Sequence, residues 1–289
     1  MRKEQMITRA NKLNLMLEER GIPFRIAYSS FPITEEYQKE GYSFQSKTYN
    51  MTPILYFNEE WWGLNDLDLV DRMEQIFKEY AKKVDLEEYL SKEYMLSHVR
   101  PVLSSAGNIP VFEEEEILYI QYLDMAVVFE LVLTDDGEET SAMKIKKWNM
   151  DHASEKISME ELITAAHKYL DQNYEVLSMD DILSGYGDTE KTTGTDNMFS
   201  YIVTTKNHIK GASAILSSAA LKKVTEVMGT EKVFLIPTSI HEMMIVPSAG
   251  MDVEYLKKMI KVGNQTVVSP ENRLTDSIYL LQDGEIHLI

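Results

Sequence analysis

The residues best suited to chemistry lie in one short stretch, PTSIHEMMIVP at positions 237–247. Ser239, His241 and Glu242 fall within four residues of one another. A serine close to a histidine can supply a nucleophile and its general base, and a histidine followed by a glutamate occurs in zinc-binding motifs. The stretch therefore allows a hydrolase that uses Ser239 and His241.

A catalytic role would need partners that this stretch does not supply. A metalloprotease helix carries a second histidine four residues after the first, and here that position is Ile245. In a strand, Ser239 and His241 share a face with Cα atoms about 6.6 Å apart, and Glu242 points to the other face. The chain also lacks the Gly-x-Ser-x-Gly sequence of a nucleophile elbow. These observations favour a structural histidine.

Cofactor and metal sites have no local support in the sequence. The chain has no cysteine, which excludes disulfides, thiolate nucleophiles, iron–sulfur clusters and cysteine-bearing zinc sites. None of the other histidines has a partner at the spacing of paired metal ligands; they are His98, His152, His167, His208 and His287. We expect no cofactor and no metal, and we lean against an enzyme.

Negative charge is concentrated in one part of the chain. The formal net charge is −18, and residues 85–140 alone hold 14 acidic and 2 basic residues. This balance argues against direct nucleic-acid binding, because phosphates are bound by Lys and Arg. It would suit a cationic protein partner, or an acidic mimic of nucleic acid that inhibits a DNA- or RNA-handling enzyme.

Two acidic runs are the candidate interaction residues within this segment. They flank a very apolar stretch, so they could equally be charges that keep a buried strand soluble. The predicted interaction residues are Glu113, Glu114, Glu115, Glu116, Asp135, Asp136, Glu138 and Glu139.

Helix signals are clear in five places. The N-terminal pattern ends near residue 20, where Gly21 and Pro23 stop it. Asn65 can cap a second helix, and Ser158 with Glu161 forms a capping box before a helix over residues 159–173. Helical spacing of apolar residues predicts two more helices, over residues 216–228 and 252–262.

Strands are predicted where β-branched and aromatic residues cluster, at residues 54–57, 126–133, 198–203, 233–236, 242–246 and 277–281. The irregular alternation of strands and helices predicts an α+β fold with mixed, largely antiparallel sheets and packed helices. We predict an N-terminal α/β region at residues 1–150, which contains the acidic segment 85–140, and a C-terminal α+β region at 151–289. One continuous domain is the alternative, and a polar segment at 184–196 is typical of a surface loop.

No membrane association is expected. The longest apolar run, residues 117–133, is interrupted by Gln121, Asp124 and Glu130, and it is shorter than a membrane span. The first 20 residues carry charges throughout, unlike a signal peptide. A cytoplasmic location fits these features.

Several stretches together resemble a known family. They are NMTPILYFN at 50–58, YLDMAVVF at 122–129, FLIPTSIHEMMIVP at 234–247 and NQTVV at 264–268, followed by Pro270, Glu271, Leu274, Asp276 and Tyr279. Their order and spacing resemble domain of unknown function family 5688, a family of clostridial proteins. The resemblance implies a cytoplasmic protein of a clostridial bacterium, linked to mobile elements, and it implies no activity.

The sequence thus favours a non-catalytic protein that binds another macromolecule, because no catalytic constellation is complete and the acidity is localised. For the opening stretch, we predict a strand at 242–246 paired with 233–236 through a turn, packed beneath the helix at 252–262. His241 would then stand at the start of the strand, where its ring bonds backbone groups of the turn.

Overall fold

A computed structural model describes residues 2–34, 37–135, 140–179, 182 and 200–289. The chain divides into two compact units, unit 1 (Met1–Leu86) and unit 2 (Glu87–Ile289). Among the described residues, no helix combines the length and the apolarity that crossing a bilayer requires.

Unit 1 pairs two long helices with a small antiparallel sheet whose strand order is β1-β2-β3. Its elements are α1 (Arg2–Glu19), β1 (Arg25–Pro32), β2 (Gln38–Gln45), β3 (Ile54–Tyr56), α2 (Glu59–Gly63) and α3 (Asp66–Tyr80). Helix α1 ends where the chain reverses at Gly21, whose φ of +67° suits a residue without a Cβ. Helix α3 begins after Asn65, whose side chain accepts a hydrogen bond from the Asp68 N–H at 3.0 Å.

The core of unit 1 forms between these helices and the sheet. Leu13 and Leu17 of α1 pack with Met73 and Phe77 of α3, and Phe24 stacks on Phe77 with ring centroids 4.3 Å apart. Burial of such side chains contributes about 1.5–3 kcal/mol each to stability. The helix stripes read from the sequence are therefore the faces that hold unit 1 together.

Unit 2 contains ten strands among its described residues. They are β4 (Val99–Ser105), β5 (Tyr119–Tyr122), β6 (Met125–Asp135), β7 (Thr140–Lys144), β8 (Tyr174–Ser178), β9 (Tyr201–Thr205), β10 (Lys232–Ser239), β11 (Glu242–Pro247), β12 (Tyr279–Gln282) and β13 (Glu285–Leu288). Helix α4 (Leu86–Tyr89) spans the division between the units, and α5 (Lys92–His98), α6 (Ile109–Glu114), α7 (Lys147–Asp151), α8 (Met159–Asn173), α9 (Ser218–Met228) and α10 (Val253–Thr266) follow. Short 3-10 helices cover Ala106–Asn108, Gly211–Leu216 and Pro270–Asn272.

The strands of unit 2 form two antiparallel sheets. The larger has the order β13-β12-β10-β11-β9-β8. The smaller is built on β6, which pairs with β4 along one edge and with β5 and then β7 along the other. The predicted α+β fold with largely antiparallel sheets is confirmed.

One apolar core joins the two sheets of unit 2. Leu103 and Phe129 from the smaller sheet lie in the same buried cluster as Leu235 and Ile245 from the larger sheet, with Leu162 of α8. Helix α8 packs on β4, and α9 packs on β8 and β10. Elements on both sides of residue 150 therefore share one core, and the chain divides between residues 86 and 87.

The outer face of the larger sheet is covered by α10. Phe234, Ile236 and Val246 from β10 and β11 pack with Ile260 of this helix. Strands β10 and β11 pair antiparallel with Leu235 opposite Ile245. The predicted hairpin beneath the helix is thus confirmed, and the helix runs four residues beyond the predicted end.

Several strands have no counterpart in the sequence prediction, namely β1, β2, β4, β5, β7, β8 and β13. The predicted loop at 184–196 lies outside the described residues, as do the first two residues of the strand predicted at 198–203. The described part of that strand begins at Tyr201.

Candidate functional site

Ser239 and His241 meet through the backbone at the corner of the β10–β11 hairpin. Ile240 and His241 form the turn, and the His241 N–H donates to the Ser239 hydroxyl oxygen at 3.0 Å. Glu242 is the first residue of β11, and the Thr238 hydroxyl donates to its carbonyl oxygen at 3.1 Å and to its carboxylate at 3.2 Å. The hydroxyl of Ser239 therefore serves the turn geometry.

The ring of His241 binds a different segment from the one the sequence predicts. Its Nδ1 accepts from the backbone N–H of Lys210 at 3.1 Å, instead of from the hairpin turn. Its carbonyl oxygen accepts from the Thr204 hydroxyl at 2.8 Å. Lys210 precedes the 3-10 helix Gly211–Leu216 with a left-handed backbone, φ of +54°, and the His241 ring supplies the acceptor for its N–H.

This corner is closely packed at Gly211, the residue after Lys210. A Cβ there would lie 2.1 Å from the Thr204 hydroxyl oxygen and 2.7 Å from the His241 carbonyl oxygen. Only glycine allows that approach. The geometry assigns His241 the task of fixing two chain segments against each other.

The acidic residues proposed for interactions fall into three situations. Glu113 accepts from the Tyr119 hydroxyl at 3.0 Å, and Glu115 pairs with Lys146 at 2.6 Å. Glu114 and Glu116 are exposed. Asp135 is the last residue of β6, and Asp136, Glu138 and Glu139 lie outside the described residues.

A buried ionic group lies on the smaller sheet, and the sequence analysis did not predict it. Glu130 of β6 is 3% exposed, and one of its carboxylate oxygens accepts from Arg100 Nε at 3.2 Å and from Nη2 at 2.9 Å. The other oxygen accepts from Lys210 Nζ. The cations keep the pKa of Glu130 below its usual value although burial opposes them. The signal available in the sequence was a glutamate inside the apolar run 126–133.

One cavity of unit 2 lies on the inner face of the smaller sheet, and we call it the apolar pocket. Its volume is about 620 Å³. Val127 and Phe129 of β6 form the floor, and Ile163 and Ala166 of α8 form one wall. Leu221 of α9 also lines it, and so does Ile286 of β13. Alternation along β6 places these floor residues on the face opposite Glu130.

Four polar residues that line this pocket are exposed, and we call their side of the pocket its mouth: His167, Ser218, Glu285 and His287. His167 and His287 are exposed there, and His287 Nε2 lies 3.9 Å from a Glu285 carboxylate oxygen. Burial raises the pKa of Tyr122, which also lines the pocket. Ser218 opens α9 at the same mouth, and the N-terminal end of a helix favours negative charge.

A second, more polar cavity of about 420 Å³ adjoins the mouth. It shares Ser218 and Leu221 with the apolar pocket and adds Lys222, Thr225 and Glu231. The tight turn between β12 and β13 borders both cavities, and Asp283 and Gly284 take positive φ angles there. An apolar pocket that adjoins a more polar cavity suits an amphiphilic ligand.

Metal binding receives no support from the described part of the chain, where no three metal-ligating side chains cluster. Of the histidines, His241 and His98 use Nδ1 in hydrogen bonds to the backbone or to a neighbouring hydroxyl, and His152 bonds a carbonyl oxygen four residues earlier.

Comparison with protein families gives a match over most of the chain. The family described as "Family of unknown function (DUF5688)" matches residues 13–282. The chain belongs to this family. No curated protein and no solved structure matches the chain. Family membership therefore carries no activity over to the apolar pocket or to the His241 corner.

Proposed function

We propose that the protein is a binding protein rather than a catalyst, and that the apolar pocket of unit 2 holds its ligand. The observation that carries this proposal is the pocket itself. Its volume of about 620 Å³ falls within the roughly 300–1,000 Å³ range of small-molecule sites, and apolar side chains of both β6 and α8 line it.

The distribution of polar groups indicates the class of ligand. An apolar body would occupy the chamber over Val127 and Phe129, where polar atoms would be desolvated at a cost. An acidic end would lie at the mouth, near His167, Lys222 and the first turn of α9. We therefore propose an amphiphile with an apolar chain and an acidic end group.

Calorimetric titration with dodecanoate, below its micellar concentration, tests this proposal. Ile286→Trp should weaken binding by at least about tenfold, because an indole placed inside the pocket displaces the chain. Leu288→Trp is the matched control, since Leu288 is on the same strand, is 49% exposed and does not line the pocket. Equal affinity of wild type and Ile286→Trp, or no binding to wild type, would contradict the proposal.

A macromolecular partner is the second candidate, and one surface favours it. Tyr255, Met259 and Val262 form an apolar stripe on α10, with 61%, 54% and 57% of each residue exposed. Exposed Lys258 and Lys261 flank the stripe. Such a surface suits an acidic amphipathic helix of a protein, which would dock its apolar face on the stripe.

A photoreactive residue at position 259 tests the second candidate in lysate of the source organism. We expect crosslinking to a protein with an acidic amphipathic segment from position 259, and none from exposed position 223 on α9. Identical products from both positions would refute a specific surface on α10.

We also propose the cellular setting that the family resemblance implies: a cytoplasmic protein of a clostridial bacterium whose gene travels with mobile elements. The support is the resemblance, together with the described helices, none of which is long and apolar enough to cross a membrane. Immunoblotting of fractionated cells should find the protein in the cytoplasm, and recovery from the culture medium would count against this setting.

A further inference from the structure

Three long charged side chains line up across the smaller sheet on the face away from the apolar pocket. Arg100 of β4 lies directly opposite Glu130 of β6, and Glu130 lies directly opposite Lys144 of β7. Residues opposite one another project from the same face, and the outer two Cα atoms are about 10 Å apart across two strand spacings. Side chains of this length can therefore reach one common point above Glu130.

Positive charge exceeds negative charge in this row. Glu130 faces the cations Arg100, Lys144 and Lys210, so three cations stand against one carboxylate. The neighbouring pair of Lys146 and Glu115 is neutral overall. A formal surplus of two positive charges remains in a partly buried position, in a chain whose net charge is −18.

Arg100 has donor capacity to spare. Its side chain is 5% exposed, and Nε and Nη2 are used by Glu130. Nη1 is buried and has no hydrogen-bond partner among the residues that the structure describes. A buried donor without a partner is costly, so this nitrogen is a place where an acceptor would be bound favourably.

Lys144 also has unused charge. Its ammonium lies 5.2 Å from the centroid of the Phe112 ring, and no carboxylate oxygen of the described residues lies within the 4.0 Å of an ion pair. Burial lowers the pKa of Lys144, and repulsion from Lys210 and Lys146 adds to this effect, whereas Glu130 and Glu115 oppose it. An additional anion would relieve both the burial cost and the repulsion.

We propose that Arg100, Lys144 and Lys210 form a binding site for a phosphate group. Phosphate carries about −1.5 to −2 charges at neutral pH, which matches the surplus of two positive charges, whereas a carboxylate would neutralise only half of it. The guanidinium of Arg100 supplies a planar donor suited to phosphate oxygens, and Lys144 supplies a point charge. Since Arg100 is buried and Lys144 and Lys210 are partly exposed, the group enters as the terminal phosphate of a small molecule or as inorganic phosphate.

This site is independent of the apolar pocket. The pocket lies on the opposite face of the same sheet, where Pro101 and Phe129 line it. His241 is linked to the site through the backbone, because its Nδ1 accepts from the N–H of Lys210, whose Nζ reaches Glu130.

Calorimetry and equilibrium dialysis with inorganic phosphate test the proposal at constant ionic strength. Wild type should bind one phosphate per chain. Lys144→Met should weaken binding by about tenfold or more through loss of one charged contact, and Lys144→Arg should retain it within about threefold. Lys223→Met, an exposed lysine of α9, is the matched control and should bind as wild type does. Equal phosphate binding by Lys144→Met and wild type, or none to wild type, would overturn the site.

Acetate and glucose-1-phosphate serve as further probes. Acetate that binds as tightly as phosphate would overturn the assignment to phosphate, and glucose-1-phosphate that binds more tightly than inorganic phosphate would identify a phosphorylated small molecule as the ligand.

A measurement on wild type alone covers the case in which Lys144→Met does not fold. Phosphate should slow acetylation of Lys144 by a lysine reagent, followed by mass spectrometry, at least about threefold while Lys223 reacts at an unchanged rate. Unchanged acetylation of Lys144 at saturating phosphate would count against the site.

Discussion

Replacement of Glu130 by glutamine removes the one carboxylate of the buried ionic group with almost no change of shape. The glutamine side chain would still fill the space between β4 and β7, and its amide oxygen could accept one hydrogen bond. The charges of Arg100 and Lys210 would lose their counterion. The experiment therefore separates the contribution of charge from that of packing.

The structure sets the expected magnitude. Breaking a buried ion pair by removing one partner costs about 3–5 kcal/mol. The Arg100 side chain is 5% exposed, so the full desolvation cost of an unpaired charge applies to it. The Lys210 side chain is 31% exposed, and water can screen part of its charge. We therefore expect a loss near the lower end, about 3 kcal/mol, and a fall in Tm of about 6–12 °C for a unit of this size.

Urea unfolding at pH 7, followed by circular dichroism and by hydrogen exchange of peptides from β6, measures this loss. Glu155→Gln is the matched control, because Glu155 is an exposed loop glutamate of the same unit. It should change the free energy of unfolding by less than about 0.5 kcal/mol. A loss below about 1 kcal/mol for Glu130→Gln would refute the reasoning, since it would mean that solvent reaches and screens Arg100.

Three further predictions concern single contacts in unit 2. The hydrogen bonds from Lys92 and from the Ser158 N–H lower the pKa of Glu161 from 4.5 to about 2, so Glu161 stabilises the fold above pH 4.5 and this stabilisation is lost as the pH falls towards 2. The urea midpoints of wild type and Glu161→Gln should therefore differ at pH 7 and converge near pH 2. A difference that stays constant with pH would contradict this prediction. His241→Ala removes the acceptor of the Lys210 N–H and should lower the free energy of unfolding in urea by about 1–3 kcal/mol, whereas His167→Ala at an exposed site should leave it almost unchanged. Equal effects of the two substitutions would contradict the structural role of the His241 ring. Gly211→Ala should destabilise the protein by about 1–3 kcal/mol or more because the added Cβ overlaps the Thr204 hydroxyl, whereas Gly263→Ala in α10 meets open space and should stabilise it by about 0.5–1 kcal/mol. Thermal unfolding compares the two variants. A Gly211→Ala variant as stable as wild type would show that the segments around Gly211 and Thr204 can separate at no cost.

The elements that sequence reasoning predicted well are those whose signals are local. Helix α8 occupies Met159–Asn173, as its capping box predicts, because Ser158 and Glu161 bond each other's backbone within one turn. Strands β10 and β11 were predicted because two apolar runs lie on either side of a short turn. Such signals act between residues a few positions apart, so they can be read without the fold.

The strands that were missed depend on distant partners. Strand β2 has the sequence QKEGYSFQ, which carries charge and a glycine and has weak strand character. It forms because β1 pairs with it on one side and β3 on the other, while Tyr42 is buried beneath α1 and donates to the Met6 carbonyl oxygen at 3.0 Å. Tertiary packing here overrides local propensity.

By itself, the sequence determined the α+β class, most of the long helices, the β10–β11 hairpin and the absence of a local catalytic motif at Ser239 and His241. The tertiary structure alone decided where the charged groups meet. Lys210 lies 80 positions from Glu130, and Arg100 lies 30 positions from it, yet all three share one buried site. The physical reason is that no local pattern records which buried charges will be desolvated together. That is fixed only when two sheets close on a common core, and burial then makes pairing obligatory.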